Sequence, residues 1–93
     1  MAKNKPSEAQ VKKDVTLFIA GFTNMSPGAI KEGFVLKEPP LAFDDNKLGF
    51  LAMSLRGYVQ NFNDQATILA SDTRKKDQTV KGLAALAHER ISK

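Results

Sequence analysis

The chain has no cysteine, one histidine and no long apolar run. Without cysteine there can be no disulfide, no thiolate metal site and no cysteine nucleophile, and a reducing interior, most simply a cytoplasm, is the expected setting. His88 alone cannot build a multi-histidine metal site, and no nucleophile is paired with it in the sequence; it reads as an exposed or rim residue of the last helix. The glycines at 21, 28, 33, 49, 57 and 82 do not match a phosphate-cradling loop. No apolar stretch approaches the ~20 residues needed to span a bilayer, so no membrane insertion is expected. Residues 15–22, interrupted by Thr16 and Gly21, are too short to read as a secretory signal. Asp44 and Asp45 are adjacent carboxylates, but as a helix cap they already have a structural task. Together these absences argue against an enzyme and against a metal or cofactor.

What is present is ordinary for a small globular domain. Of the 93 residues, 42% are hydrophobic and 26% charged, enough for one domain with a small core. The net charge of +4 permits an anionic partner without demanding one. Residues 1–6 read as a disordered tail and 7–93 as a single helical domain.

Ser7-Glu8-Ala9-Gln10 is a capping-box pattern, in which the serine accepts from a backbone N–H and Gln10 reaches back. Val11, Val15, Phe18, Ile19 and Phe22 follow at spacings of three and four, which predicts a first helix over about 8–20 that ends near Gly21. Ser26-Pro27 signals a short helical turn that closes by Gly33. Pro39-Pro40 forbids a regular helix and disfavours a central strand, so 34–43 is an ordered loop anchored by Phe34, Val35, Leu36, Leu41 and Phe43. A second long helix starts at a cap formed by Asp44 or Asp45. Its stripe of Leu48, Leu51, Ala52, Leu55, Tyr58, Val59 and Phe62 falls in one arc at about 100° per residue. Residues 66–70 form either a helical turn or a short extended piece, 71–77 a charged loop. Thr79 caps a last helix with Val80, Leu83, Ala84, Ala87 and Ile91 facing inward. The sum is an all-α, small four-helix bundle of three longer helices and one or two short ones. Pairing of 34–41 with 66–70 as a two-stranded ribbon stays open as an alternative.

The order and spacing of these elements over residues 8–92 resemble the acyl and peptidyl carrier proteins. Residues 12–22 are similar to the family's first helix and 48–62 to its central one, and Thr79-Val80 stands where the family's final helix often opens with Thr-Val. The resemblance implies a four-helix bundle with a working central helix. The family attaches phosphopantetheine to a serine at the start of that helix, where backbone N–H groups and the helix dipole receive the phosphodiester. Here that place reads Asn46-Lys47-Leu48, and neither Asn46 nor Lys47 can form the bond. Met53-Ser54-Leu55 imitates the motif about two turns inside the helix, where the N–H groups are already bonded. The family's central helix is usually acidic, whereas this one carries Lys47 and Arg56 and no acid after Asp45.

Two constellations point to partners. Phe50, Met53 and Gly57 lie on the side of the second helix opposite the core stripe, flanked by Lys47 and Arg56. They form a docking patch if that face is bare, or a second core face if 34–43 or the segment near Ile68 covers it. Arg74, Lys75 and Lys76, with Lys81 nearby, form a basic cluster that either touches phosphates or is a solvated loop. No helix-turn-helix spacing and no aromatic-rich strand motif supports base reading. The expectation is therefore a non-catalytic, carrier-protein-like domain that binds another protein through its central helix. The alternatives are a small basic nucleic-acid-associated protein and an acyl carrier modified at an atypical hydroxyl, Ser54.

Overall fold

The first helix is fixed by a side chain at its start and by a left-handed residue at its end. Ser7 Oγ accepts from the Gln10 backbone N–H at 3.1 Å, and α1 runs Glu8–Thr23. Gln10 does not reach back to Ser7; its amide donates to Asp14 Oδ1 at 2.9 Å, one turn further on. The helix also passes Gly21 and stops only at Asn24, whose left-handed backbone (φ 60) ends it. Asparagine tolerates that conformation better than most residues. The computed structural model describes residues 4–93, so positions 1–3 of the tail expected over 1–6 lie outside the described residues. The described chain is a bundle of four α-helices with no strand among its described residues, as the periodicity predicts.

After α1, Pro27–Ala29 forms one 3-10 turn, and the hydroxyl of Ser26 makes no capping bond to it. The link from there to residue 44 is irregular but tightly tied. Leu36, Leu41 and Phe43 are buried, while Phe34 and Val35 are only half-buried. The ribbon between 34–41 and 66–70 does not form. The loop's pairing groups go instead to the start of the last helix. Leu36 N–H donates to the Gln78 carbonyl at 2.9 Å and Val80 N–H to the Phe34 carbonyl at 3.0 Å, so Val35 faces Thr79 in a single antiparallel bridge. The pairing does not continue, because the chain turns at once, with Glu38 N–H donating to the Val35 carbonyl at 3.1 Å, and α4 begins at Val80.

α2 spans Asp45–Gln60, capped by Asp44 Oδ1, which accepts from Lys47 N–H at 2.8 Å. Leu48, Leu51, Ala52, Leu55 and Val59 are buried; Tyr58 and Phe62 sit at the edge of the same arc. Residues 66–69 lie outside any helix, with Ala66 and Ile68 buried, and α3 is a turn at Ala70–Thr73 that runs into the stretch 71–77 expected to be charged loop. Asp72 makes this possible by accepting from the Leu69 N–H at 2.8 Å, a cap from inside the turn. Its carboxylate is also held by Arg90 at 3.2 Å, and Arg90 donates to the Thr67 carbonyl at 2.8 Å. A buried charge is tolerable when it is paired and hydrogen-bonded in this way. Thr73, fully buried, hangs its hydroxyl 2.8 Å from the Leu48 carbonyl and 2.9 Å from that of Ala70. α4 spans Val80–Ser92 behind a Thr79 cap, whose hydroxyl accepts from Gly82 N–H at 2.9 Å, and buries the five residues expected of it.

α1 packs on α4 and α2 through Val11, Val15 and Ile19. Its edge is aromatic: the Phe18 ring meets Tyr58 edge-on at 5.6 Å, and Tyr58 meets Phe62 at 5.4 Å. The Tyr58 hydroxyl donates to Asp14 Oδ2 at 2.6 Å. Burial first, then this bond and the negative charge of Asp14, push the Tyr58 hydroxyl well above its ordinary pKa. The folded state thus holds the proton more tightly than the unfolded chain. That contribution to stability is fully present below the unfolded value of about 10 and is lost as pH rises toward the folded one. Tyr58 is the only tyrosine and there is no tryptophan, so absorbance near 295 nm reads it alone. The native titration is expected to lie above that in denaturant, and Asp14→Asn to bring it part of the way back. Coincident native and denatured curves would contradict the contact.

Candidate functional site

Because α2 meets its neighbours with one arc only, its other side is left bare. Phe50 and Met53 are 59% and 62% exposed, and Gly57 is exposed beside them. Spacings of three and four set these residues in one row along the helix. Neither 34–43 nor the segment around Ile68 covers them; the former is tied to the start of α4 and the latter is laid along a flank of α2, where Gln60 donates to the Ala66 carbonyl at 3.0 Å. Lys47 and Arg56 are exposed and, at 100° per residue, border the row on opposite edges.

Gly57 has no packing reason among the described residues. A Cβ built there meets nothing within 4 Å, and its backbone is ordinary helix. Glycine in a helix interior costs roughly 1 kcal/mol relative to alanine. Gly49 is different: a Cβ there would lie 2.9 Å from Arg74 Nη2. The Arg74 guanidinium lies across the first turn of α2 and donates to the Asp45 carbonyl from Nε at 3.1 Å and from Nη2 at 2.9 Å.

The expected basic cluster is accordingly divided. Arg74 joins the face of α2, one turn from Met53. Lys75 and Lys76 stand exposed in the turn before α4. Lys81 faces the other way: its N–H donates to the Glu32 carbonyl at 2.9 Å, and its side chain borders a groove with Lys12 and Glu32. Lys12 and Glu32 form an exposed ion pair at 2.8 Å, which holds the Glu32 carboxyl below its ordinary range and raises the Lys12 ammonium. A neighbouring groove of about 360 Å³ runs between α1 and the 3-10 turn, with Leu17, Pro27 and Ile30 in its wall. It is remote from the row on α2. The three-residue link between Arg74 and Lys76 therefore does not present one continuous cationic stripe with Lys81.

At the head of α2, Asn46 and Lys47 are both exposed, and Asp44 occupies the Lys47 N–H. Asp45 lies 3.8 Å from Lys37. Ser54 is half-exposed in mid-helix. His88 is half-buried on α4. Among the described residues, no three acidic or histidine side chains gather as metal ligands. The sequence reading missed one member of this surface, Arg74, and one exposed apolar residue, Leu69. Arg74 was placed with its neighbours in sequence, although a second mid-helix glycine at 49 signals close approach of another group. Leu69, 55% exposed, lies on the segment that runs beside α2, and no periodic signal marks it. No protein-family model, curated protein or solved structure matches this chain.

The exposure of the row makes two stability predictions. Met53→Ala is expected to cost under about 0.5 kcal/mol in urea unfolding, as surface changes do, and Leu55→Ala about 2–5 kcal/mol, as core truncations do. Gly57→Ala is expected to stabilise the fold by about 0.5–1 kcal/mol. A destabilising Gly57→Ala would mean that this face is covered in the free protein.

Proposed function

We propose that this chain is a non-catalytic, carrier-protein-like helical domain that works by binding another protein through α2 and carries no prosthetic group. The observation that supports the reading most is the bare row of Phe50 and Met53, 59% and 62% exposed on the helix that a carrier protein would use for contact. Large apolar side chains grouped on a surface mark interaction sites more often than single ones do. The element order, a long first helix, long link, central helix, short helix and final helix, also fits. The head of α2 offers Asn46 and Lys47 where a carrier holds its serine. Ser54 sits where the backbone N–H groups are already used by the helix, so no anion site lies beside it.

A nucleic-acid role is the weaker reading. Lys12 is paired with Glu32, and Lys81 stands on a different side from Lys75 and Lys76, so the cations do not form one stripe.

A photo-crosslinking residue placed at Met53 in the native cell is expected to give a discrete protein adduct, while the same residue at exposed Ala85 on α4 gives none. Equal adducts at both positions, or none at Met53, would overturn the docking role. Incubation with a phosphopantetheinyl transferase and coenzyme A is expected to leave the protein's mass unchanged. A gain of one phosphopantetheine group would overturn the unmodified state and favour Ser54 as the acceptor.

A further inference from the structure

Resting on the proposal that α2 is the docking helix, we infer that its partner presents an amphipathic helix whose apolar stripe is bordered by aspartate and glutamate. The inference rests on the charges around the row: two that α2 itself carries and one that the fold adds. Lys47 borders it on one edge and Arg56 on the other, and Arg74, arriving from the segment after α3, closes the end nearest Gly49. Three cations thus rim the patch of Phe50 and Met53. The one acid of α2, Asp45, stands near Lys37 at the helix head, and Asp72 is buried against Arg90. Among the described residues Asp45 is the one carboxylate at this border, and Lys37 stands 3.8 Å from it, so the three cations leave the rim net positive.

Charge complementarity of this kind selects partners and rejects those of like sign. It rejects a second copy of this chain, because two such faces would bring like cations together. The backbone of α2 is internally bonded, so it offers no edge for an added strand, and recognition must run through side chains, ridge against groove. Gly57 supplies the groove. It leaves open space between side chains at a cost in helix stability that no contact among the described residues explains. A lipid surface has no use for such a notch; a helix that must come close does. From Phe50 to Gly57 the row is about 10 Å long, two turns of a partner helix.

The test uses the full chain, isotope-labelled, and two synthetic helical peptides of roughly 18 residues, about five turns. They share one leucine stripe and differ only in carrying Glu or Lys along its borders. At physiological salt the Glu peptide is expected to shift the amide signals of Phe50, Met53 and Gly57 saturably, and the Lys peptide to leave them unmoved. The double variant Lys47→Glu, Arg56→Glu changes two exposed positions. It is expected to lose about tenfold in affinity for the Glu peptide and to gain binding to the Lys peptide. If the Lys peptide binds the wild-type row, the acidic partner is overturned while docking through α2 stands. If neither peptide moves α2, both proposals fall. If vesicles of phosphatidylglycerol and phosphatidylcholine engage the row and the Glu peptide does not, the partner is a lipid surface and the inference is overturned.

Discussion

Everything in this fold depends on α2 being packed from one side. Leu48, Leu51, Leu55 and Val59 are completely buried, and they share a single arc of the helix. α1 brings Val11, Val15 and Ile19 to that side, and α4 brings Leu83, Ala87 and Ile91. With no disulfide available, burial of these aliphatic residues is the main favourable term. The same geometry creates the surface of interest. No element among the described residues covers the far side of the central helix, and the residues there are Phe50 and Met53 rather than lysine or glutamate.

Polar groups then decide how the irregular half of the chain is laid down. Thr73 and Arg74, neighbours at the end of α3, both bond to α2 backbone, one at Leu48 and one at Asp45. Asp72, the residue before them, turns inward to Arg90 and the Leu69 N–H. Three consecutive side chains therefore pin the short helix to the bundle at three different places. A consequence is that Arg74 is carried away from Lys75 and Lys76 and set over Gly49. A segment that reads as a basic loop becomes part of the border of the α2 face.

The three long helices were legible in the sequence because each has a side-chain cap and a stripe at spacings of three and four. Ser7, Asp44 and Thr79 each accept a backbone N–H at the helix start, although the return bond of the Ser7 capping box goes to Asp14 instead. α1 was read short because Gly21 looks like a stop, yet its backbone is ordinary helix and Asn24 supplies the left-handed residue that ends it. α3 escaped because its cap comes from Asp72 reaching back to Leu69, and leucine at a cap position gives no signal. The bridge between Val35 and Thr79 joins residues far apart in sequence, and no local pattern announces it. That bridge ties residues 34–36 to the start of α4, so the exposure of Phe50 and Met53 could not be settled from α2 alone. The membership of Arg74 was hidden for a similar reason: its bond to Asp45 crosses from one element to another.

The central claim, that the far face of α2 is bare in the free protein, can be read on the methionine methyl groups. A soluble, neutral gadolinium chelate broadens methyl signals according to their access to solvent. Met53 is 62% exposed, whereas Met25 is half-buried against the core. The account predicts strong broadening of the Met53 methyl signal and clearly weaker broadening of the Met25 signal. A Met53 methyl as protected as that of Met25 would contradict it.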